Sequence, residues 1–135
     1  MVAPGGSSTR PTSDRVREAT FNALTSMGVV EGARVLDLFA GSGAMSIEAV
    51  SRGAAGATCV ERDRIALDAL RRNVSVCAFL DEITWVSADV DRWLDRHGAR
   101  GDETGHEREV ERYDIAIIDP PYAFDDWEAL LDRVP

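Results

Sequence analysis

The feature that most constrains the fold is an alternation of short apolar, β-rich runs with segments of helical periodicity. Each run ends in an acidic residue or a glycine-rich turn. Strands that alternate with helices of about 10–15 residues form βαβ units, which produce a parallel sheet covered by helices on both faces. The predicted strands are 34–39, 57–61, 83–87 and 113–119, and the helices between them are 44–52, 64–77 and 90–96.

The two ends of the chain differ from this pattern. Residues 1–12 are rich in Gly, Ser, Pro and Thr and predict a flexible arm before a single domain over 13–135. A first helix capped by Thr12 or Ser13 is predicted from apolar residues at helical spacing, and a last helix over 125–134 is predicted to face inward with three apolar residues. These residues are Val16, Ala19, Ala23, Leu24 and Met27 in the first helix, and Trp127, Leu130 and Leu131 in the last. The charged segment 98–112 predicts a surface loop.

Composition narrows the functional class. With 135 residues and 44% hydrophobic content, the chain suffices for one core, and it contains no run near the roughly 20 apolar residues of a membrane span. The absence of such a run and of a signal-peptide pattern leads us to expect a cytoplasmic protein, and we expect a monomer. Cys59 and Cys77 are expected to be reduced core residues, and His97 and His106 have no partners at ligand-like spacing, so no metal site is predicted.

The net charge of −9 disfavours a general nucleic-acid-binding surface, since phosphate contacts need basic residues. A local basic cluster near the N-terminus, formed by Arg10, Arg15 and Arg17, weakens that objection. The acidic residues concentrate elsewhere, in 81–95 and 102–111.

A glycine-rich turn follows the first predicted strand. Gly41 and Gly43 allow a tight backbone turn and close approach to a ligand at the carboxyl ends of the strands. The dinucleotide fingerprint requires a third small residue for close helix packing, and Ser46 stands where its last glycine would be. A ligand without a pyrophosphate therefore suits this turn better.

Acidic residues close the next two strands. Glu61 is placed to accept both hydroxyls of an adenosine ribose, which a nicotinamide cofactor and a methionine nucleoside share. Asp89 follows the third strand, where it is suited either to an adenine amino group, with Val90 packed on the ring, or to capping the next helix.

The segment Asp119-Pro120-Pro121-Tyr122 decides the class. The two prolines make it stiff and rich in free carbonyl groups. An exocyclic base nitrogen is a poor nucleophile, and Asp119 with the Pro120 carbonyl can accept its two N–H groups and turn its lone pair toward a methyl donor. The carboxylate also stabilises the positive charge that develops on the nitrogen, and Tyr122 can stack on the base.

The run from Asp37 to Gly43, together with 119–122, resembles the class I amino-methyltransferases of nucleic acids. The segment 10–22, Arg-Pro-Thr-Ser-Asp-Arg-Val-Arg-Glu-Ala-Thr-Phe-Asn, resembles the opening signature of the RsmD family, bacterial enzymes that methylate the guanine N2 amine in small-subunit ribosomal RNA. The resemblance implies a Rossmann-like α/β fold, S-adenosyl-L-methionine as cofactor, and small-subunit ribosomal RNA or the assembled small subunit as partner. Relative to that family the chain looks truncated at both ends, without the N-terminal basic hairpin and the C-terminal strands.

The resemblance also assigns roles to residues. The glycine turn would hold the methionine end of the cofactor, Glu61 its ribose, and Asp89 with Val90 its adenine, while 119–122 would grip a flipped guanine. The cofactor set implied is Asp37, Phe39, Ala40, Gly41, Ser42, Gly43, Glu61, Arg62, Asp89 and Val90. The catalytic set is Asp119, Pro120, Pro121 and Tyr122, and the residues beside the cofactor or the RNA backbone are Arg10, Thr12 and Arg15.

Four alternatives remain open at this stage. A DNA adenine or cytosine amino-methyltransferase shares the Asp-Pro-Pro-Tyr chemistry and the need to extrude the base, but segment 10–22 disfavours it. A protein glutamine methyltransferase would carry Asn in place of Asp119. A non-catalytic cofactor-binding or RNA-binding fragment would lack methyl transfer, and a nicotinamide-binding domain is disfavoured by Ser46 and by the segment 119–122.

Overall fold

The computed structural model describes residues 14–98, 111–120 and 125–135, and within them strands and helices alternate as the sequence predicts. The strands begin and end within one residue of the predicted positions, except that β4 starts two residues later. The helices are α1 (Asp14–Ser26), α2 (Ala44–Ser51), α3 (Arg64–Val76), α4 (Val90–His97) and α5 (Trp127–Leu131). The strands are β1 (Arg34–Leu38), β2 (Gly56–Glu61), β3 (Ile83–Ser87) and β4 (Ile115–Ile118).

The four described strands form one parallel sheet in the order β3-β2-β1-β4. The central strand β1 pairs on one side with β2 and on the other with β4. Its last residue, Leu38, lies opposite Val60 and Ile118. The residues that follow these positions, Phe39, Glu61 and Asp119, therefore meet at one edge of the sheet, and the predicted Rossmann-like α/β fold is confirmed.

Alternating side chains of β1 divide the hydrophobic core in two. Val35 packs with α1, α2 and α3 on one face of the sheet, and Leu36 and Leu38 pack with α4 and α5 on the other. A strand buried on both faces reads as a continuous apolar run, as 35–38 does except at Asp37. Of the two cysteines, which are both free, Cys59 is buried in the first core and Cys77 is partly buried beside it.

The first predicted helix is present as α1, but the apolar residues that predicted it lie mostly on its exposed side. Phe21 is the residue that the helix buries completely, with Leu24 partly buried, whereas Val16 and Met27 are 56% and 70% exposed. Phe21 is larger than Val16 or Met27, so burying it removes the most apolar area from water. Arg52, just after α2, donates to the Asn22 side chain at 2.9 Å and lies over the Phe21 ring.

The predicted inward face of the last helix is wrong in two of three residues. Leu130 is fully buried, but Trp127 and Leu131 are exposed. Helix α5 has only five residues, and Leu130 is the one that it buries in the core. The predicted cap residues Thr12 and Ser13, and the arm 1–12, lie outside the described residues. So does most of the predicted loop 98–112. In the described part of the chain, no helix has the length and apolar character to cross a membrane.

The position of α1 makes a direct prediction. Phe21→Ala should lower the free energy of unfolding by about 3–5 kcal/mol, because the substitution leaves a cavity between the helix and the sheet. Met27→Ala, on the exposed side of the same segment, should change it by less than about 0.5 kcal/mol. Urea unfolding followed by circular dichroism measures both values, and equal losses would contradict the observed face.

Candidate active site

The candidate site lies at the carboxyl edge of the sheet, where open α/β folds bind ligands. Three adjacent strands contribute to it: β1 continues into the glycine turn, β2 ends in Glu61, and β4 is followed by Asp119. The sequence predicted each of these residues as part of a site, and the strand order brings them side by side.

The turn after β1 is built from left-handed backbone. Phe39, Gly41 and Gly43 have φ angles of 61°, 58° and 80°, and for the phenylalanine this conformation is rare and strained. The two glycines differ in their surroundings. A Cβ at Gly43 would lie 3.0 Å from Leu70 Cγ, whereas a Cβ at Gly41 would meet no described atom within 4 Å. Gly43 therefore allows α3 to pack against the turn, and Gly41 leaves room beside it.

Glu61 anchors this turn from the neighbouring strand. Its Oε1 accepts the Gly41 N–H at 3.0 Å, and its Oε2 accepts the N–H groups of Arg62 and Asp63 at 2.7 and 2.9 Å. A carboxylate has about four lone-pair positions, so one position, on Oε1, is left for a ligand. Accepting both hydroxyls of a ribose therefore requires the bond to Gly41 to be released.

Asp37, in the middle of the apolar strand β1, is 2% exposed. Its carboxyl accepts a hydrogen bond from Ser46 Oγ at 2.7 Å, and Ser46 accepts one from the Cys59 thiol at 3.2 Å. Burial, together with the nearby charges of Asp119 and Glu61, raises the pKa of Asp37 to about 7, against the lowering effect of the Ser46 hydrogen bond. Burial also raises the pKa of the Cys59 thiol, which keeps it a donor.

Sequence reasoning missed the structural role of Ser46 and treated it only as a break in the dinucleotide pattern. Its signal was the Asp37–Ser46 spacing, since a buried acid on a strand requires a donor from the helix that covers it. Asn73 was also missed. This buried side chain on α3 donates from Nδ2 to the Ser42 carbonyl of the glycine turn at 3.0 Å.

The third predicted acid, Asp89, has one of its two predicted roles in the structure and one contact that was not predicted. Asp89 caps α4 by accepting the Arg92 N–H, as one interpretation of the sequence expected, and it also pairs with Arg62 at 3.2 Å. Arg62 is otherwise exposed beside Glu61, and Val90 is buried in the second core rather than open to the site.

Asp119 is exposed and Pro120 partly so at the end of β4. The other predicted substrate residues, Pro121 and Tyr122, lie outside the described part of the chain, as do Arg10 and Thr12. Arg15 is exposed on α1.

Comparison with known proteins identifies the relatives of this fold and site. The model of the family described as conserved hypothetical protein 95 matches residues 1–135. A Bacillus subtilis protein named "Putative rRNA methyltransferase YlbH" is 37% identical over 99% of this chain. The Escherichia coli ribosomal RNA small subunit methyltransferase D is 50% identical over 56% of it. The chain belongs to the RsmD family.

A solved relative agrees with this RsmD-family assignment. The structure titled "Putative methyltransferase yhhF from Escherichia coli" is 33% identical, covers 92% of this chain and superposes with a TM-score of 0.73. The RsmD-family chain described here spans only part of these proteins: 67% of the Bacillus protein, 37% of the E. coli methyltransferase and 61% of the solved E. coli chain.

The buried acid of this RsmD-family chain predicts a pH dependence of stability. The folded pKa of Asp37, about 7, lies above its ordinary value of 3.8, so between these pH values the folded state holds a proton that the unfolded chain releases. The contribution of Asp37 to stability therefore falls as pH rises through this window, by at most about 1.4 kcal/mol per pH unit. The uncharged variant Asp37→Asn removes this loss.

We expect the unfolding free energy of Asp37→Asn, relative to the unmodified chain, to increase from pH 5 to pH 7 and to level off above about pH 8. Chemical unfolding at each pH measures it. Asp81→Asn, at an exposed site between α3 and β3, should give a flat difference over the same range. A flat difference for Asp37→Asn as well would contradict the raised pKa.

Proposed function

We propose that this chain carries the cofactor site and the catalytic motif of a ribosomal RNA methyltransferase. In this proposal, S-adenosyl-L-methionine is the methyl donor and the exocyclic N2 of a guanine in small-subunit ribosomal RNA is the acceptor. The family, the names of the relatives and the motif at 119–122 support the proposal.

The observation that carries the proposal is the adjacency of the turn and Asp119. Leu38 and Ile118 are paired across β1 and β4, so the glycine turn and the acidic motif leave the sheet next to each other. The charge of Asp119 also contributes to raising the pKa of Asp37, on the strand that leads into the turn. A donor held at the turn and an acceptor held at Asp119 would therefore lie within reach of each other, which supplies much of the catalysis by proximity.

The cofactor end of the site fits a nucleoside joined to an amino acid. The free lone pair of Glu61 and its replaceable bond to Gly41 suit ribose hydroxyls, and the room beside Gly41 suits an approaching ligand. The pairing of Asp89 with Arg62 forms a polar rim on the side where the adenine would lie. When bound, S-adenosyl-L-methionine supplies an electrophilic methyl group.

Residues at the end of β4 activate the acceptor. The Asp119 carboxylate and the Pro120 carbonyl accept the two N–H groups of the guanine amine, so that its lone pair points at the methyl carbon. With the cofactor bound, a nitrogen–carbon bond would form as the carbon–sulfur bond breaks, and the nitrogen would release its proton to Asp119 or to water. The negative charge of Asp119 stabilises the positive charge on nitrogen during attack. A guanine in a loop or a splayed strand suits this geometry, since helical RNA hides its base edges.

Methyl transfer tests the function directly. This chain, and a version extended at both ends, are incubated with methyl-labelled S-adenosyl-L-methionine and unmodified small ribosomal subunits, and the RNA is digested to nucleosides. Label in N2-methylguanosine supports the proposal. Label in methylated adenosine or cytidine, or no label from either version, would overturn the ribosomal guanine assignment.

Replacement of the acid separates catalysis from cofactor binding. Asp119→Ala should lower the rate of methyl transfer at least about 100-fold, the scale of losing one preorganised electrostatic group, and should leave the Kd for S-adenosyl-L-methionine within about 2-fold. Single-turnover assays and calorimetry measure the two quantities. Asp125→Ala, exposed a few residues away, is the control, and an equal loss of binding and rate in Asp119→Ala would refute the substrate-side role.

The ribose role of Glu61 makes a separate prediction. Glu61→Gln should raise the Kd for S-adenosyl-L-methionine about 5- to 150-fold, the equivalent of roughly 1–3 kcal/mol for a lost hydrogen bond to a charged group. Adenosine, which keeps the ribose but lacks methionine, should lose affinity similarly. Glu82→Gln, just before β3 at the opposite edge of the sheet, should bind both normally. Unchanged binding by Glu61→Gln would place the ribose elsewhere.

A further inference from the structure

Asn73 occupies an unusual position for its residue type. It lies within α3, is 2% exposed, and shares the buried side of that helix with Leu70 and Val74. Asparagine is a weak helix former, and burying its amide is unfavourable unless the amide is hydrogen-bonded. An apolar side chain would pack at this position at lower cost, so the asparagine indicates a role for its amide group.

The hydrogen bond of Asn73 reaches out of its own helix. Its Nδ2 donates to the Ser42 carbonyl at 3.0 Å, although the two residues are 31 positions apart in the chain. Leu70, one helical turn earlier, fills the space beside Gly43, where a Cβ would lie 3.0 Å from its Cγ. The same face of α3 thus supports the glycine turn with one apolar and one polar contact.

These contacts complete a set of restraints on the turn. Glu61 holds the Gly41 N–H from β2, Asn73 holds the Ser42 carbonyl from α3, and the Gly43 N–H donates to the Ala40 carbonyl at 3.0 Å. The peptide units before Gly41 and after Ser42 are therefore both oriented. The peptide unit between them, beside the open space at Gly41, therefore has an oriented unit on each side.

We propose that Asn73 is a positioning residue for the cofactor. It holds the turn formed by residues 40–43 in the conformation that S-adenosyl-L-methionine binds, and it acts through the Ser42 carbonyl rather than by touching the ligand. This inference rests on the proposed function in that the turn is taken to be the cofactor site. The Asn73 bond does not involve Glu61, so the turn would keep this anchor when Glu61 releases the Gly41 N–H to bind the ribose.

The test compares two variants of Asn73 with a neighbouring core substitution. Asn73→Ala removes the donor, and Asn73→Asp places a carboxylate against the Ser42 carbonyl. Val74→Ala, at the next residue of α3 and fully buried, disturbs the packing of the same helix and leaves the Asn73 side chain in place. For each, calorimetry gives the Kd for S-adenosyl-L-methionine, and hydrogen exchange of the free chain gives the protection of the segment 39–46.

We expect Asn73→Ala to raise the Kd roughly 5- to 10-fold and to speed exchange in 39–46, while Val74→Ala keeps its Kd within about 2-fold and its turn protected. Asn73→Asp should bind more weakly than Asn73→Ala at pH 8, because its carboxylate has no proton to donate and repels the Ser42 carbonyl. Asp37 and Glu61 lie around the same turn, so every Kd is taken as a ratio to the unmodified chain at the same pH.

The outcomes separate this inference from the proposed function. If the unmodified chain binds no S-adenosyl-L-methionine, the cofactor assignment fails, and the positioning role fails with it, whatever the exchange data show for the turn. If the unmodified chain binds normally, then unchanged affinity and exchange in Asn73→Ala overturn the positioning role alone. Equal losses in Asn73→Ala and Val74→Ala, or binding by Asn73→Asp as tight as that of the unmodified chain, would also overturn it and leave Asn73 as an ordinary core residue.

Discussion

The rest of the structure depends on the burial of β1. This strand pairs with a neighbour on each side and packs against helices on both faces, so its direction and register are fixed. Because all its described neighbours run parallel to it, their carboxyl ends meet at one edge. The acids and the glycine turn are brought together by this arrangement, and the site follows from the sheet.

Hydrogen bonds from neighbouring elements hold the glycine turn at this edge in a defined geometry. The turn after β1 contains three residues with left-handed backbone, and this conformation is strained for Phe39 because the residue has a side chain. It persists because polar groups from β2 and α3 hold its peptide units, and because Ser46 binds the buried Asp37 beneath it. Burial of Asp37 in an apolar strand raises its pKa to about 7, and the free energy of unfolding falls as the pH rises toward this value. Natural proteins retain such unfavourable groups mainly at functional sites, and Asp37 lies next to the candidate site.

The sequence predicted the sheet and the main acids well because these depend on local patterns. Apolar runs, their terminal acids and the glycine pair are short-range signals, and a parallel sheet automatically gathers them. The buried side of α1 was not predicted because Phe21 was left out of the apolar pattern, and the packing of the helix on the sheet selects this residue. Ser46 and Asn73 were missed for the same reason: their partners are Asp37 and Ser42, and the pairs exist only after the helices pack. The roles given to Pro121, Tyr122, Arg10 and Thr12 remain predictions.

The two glycines of the turn carry different kinds of constraint, and this difference shapes which changes the turn can tolerate during evolution. At Gly43 a Cβ would lie 3.0 Å from Leu70 Cγ, so a side chain there requires Leu70 to shift, and drift at this position is limited by packing and by the left-handed backbone. At Gly41 the described structure leaves space, and a residue that accepts left-handed backbone, such as Asn, is compatible with the fold there. Such a chain would keep its architecture while filling the room beside the turn. A homologue that has lost its ligand but not its fold is therefore more readily reached through position 41 than through position 43.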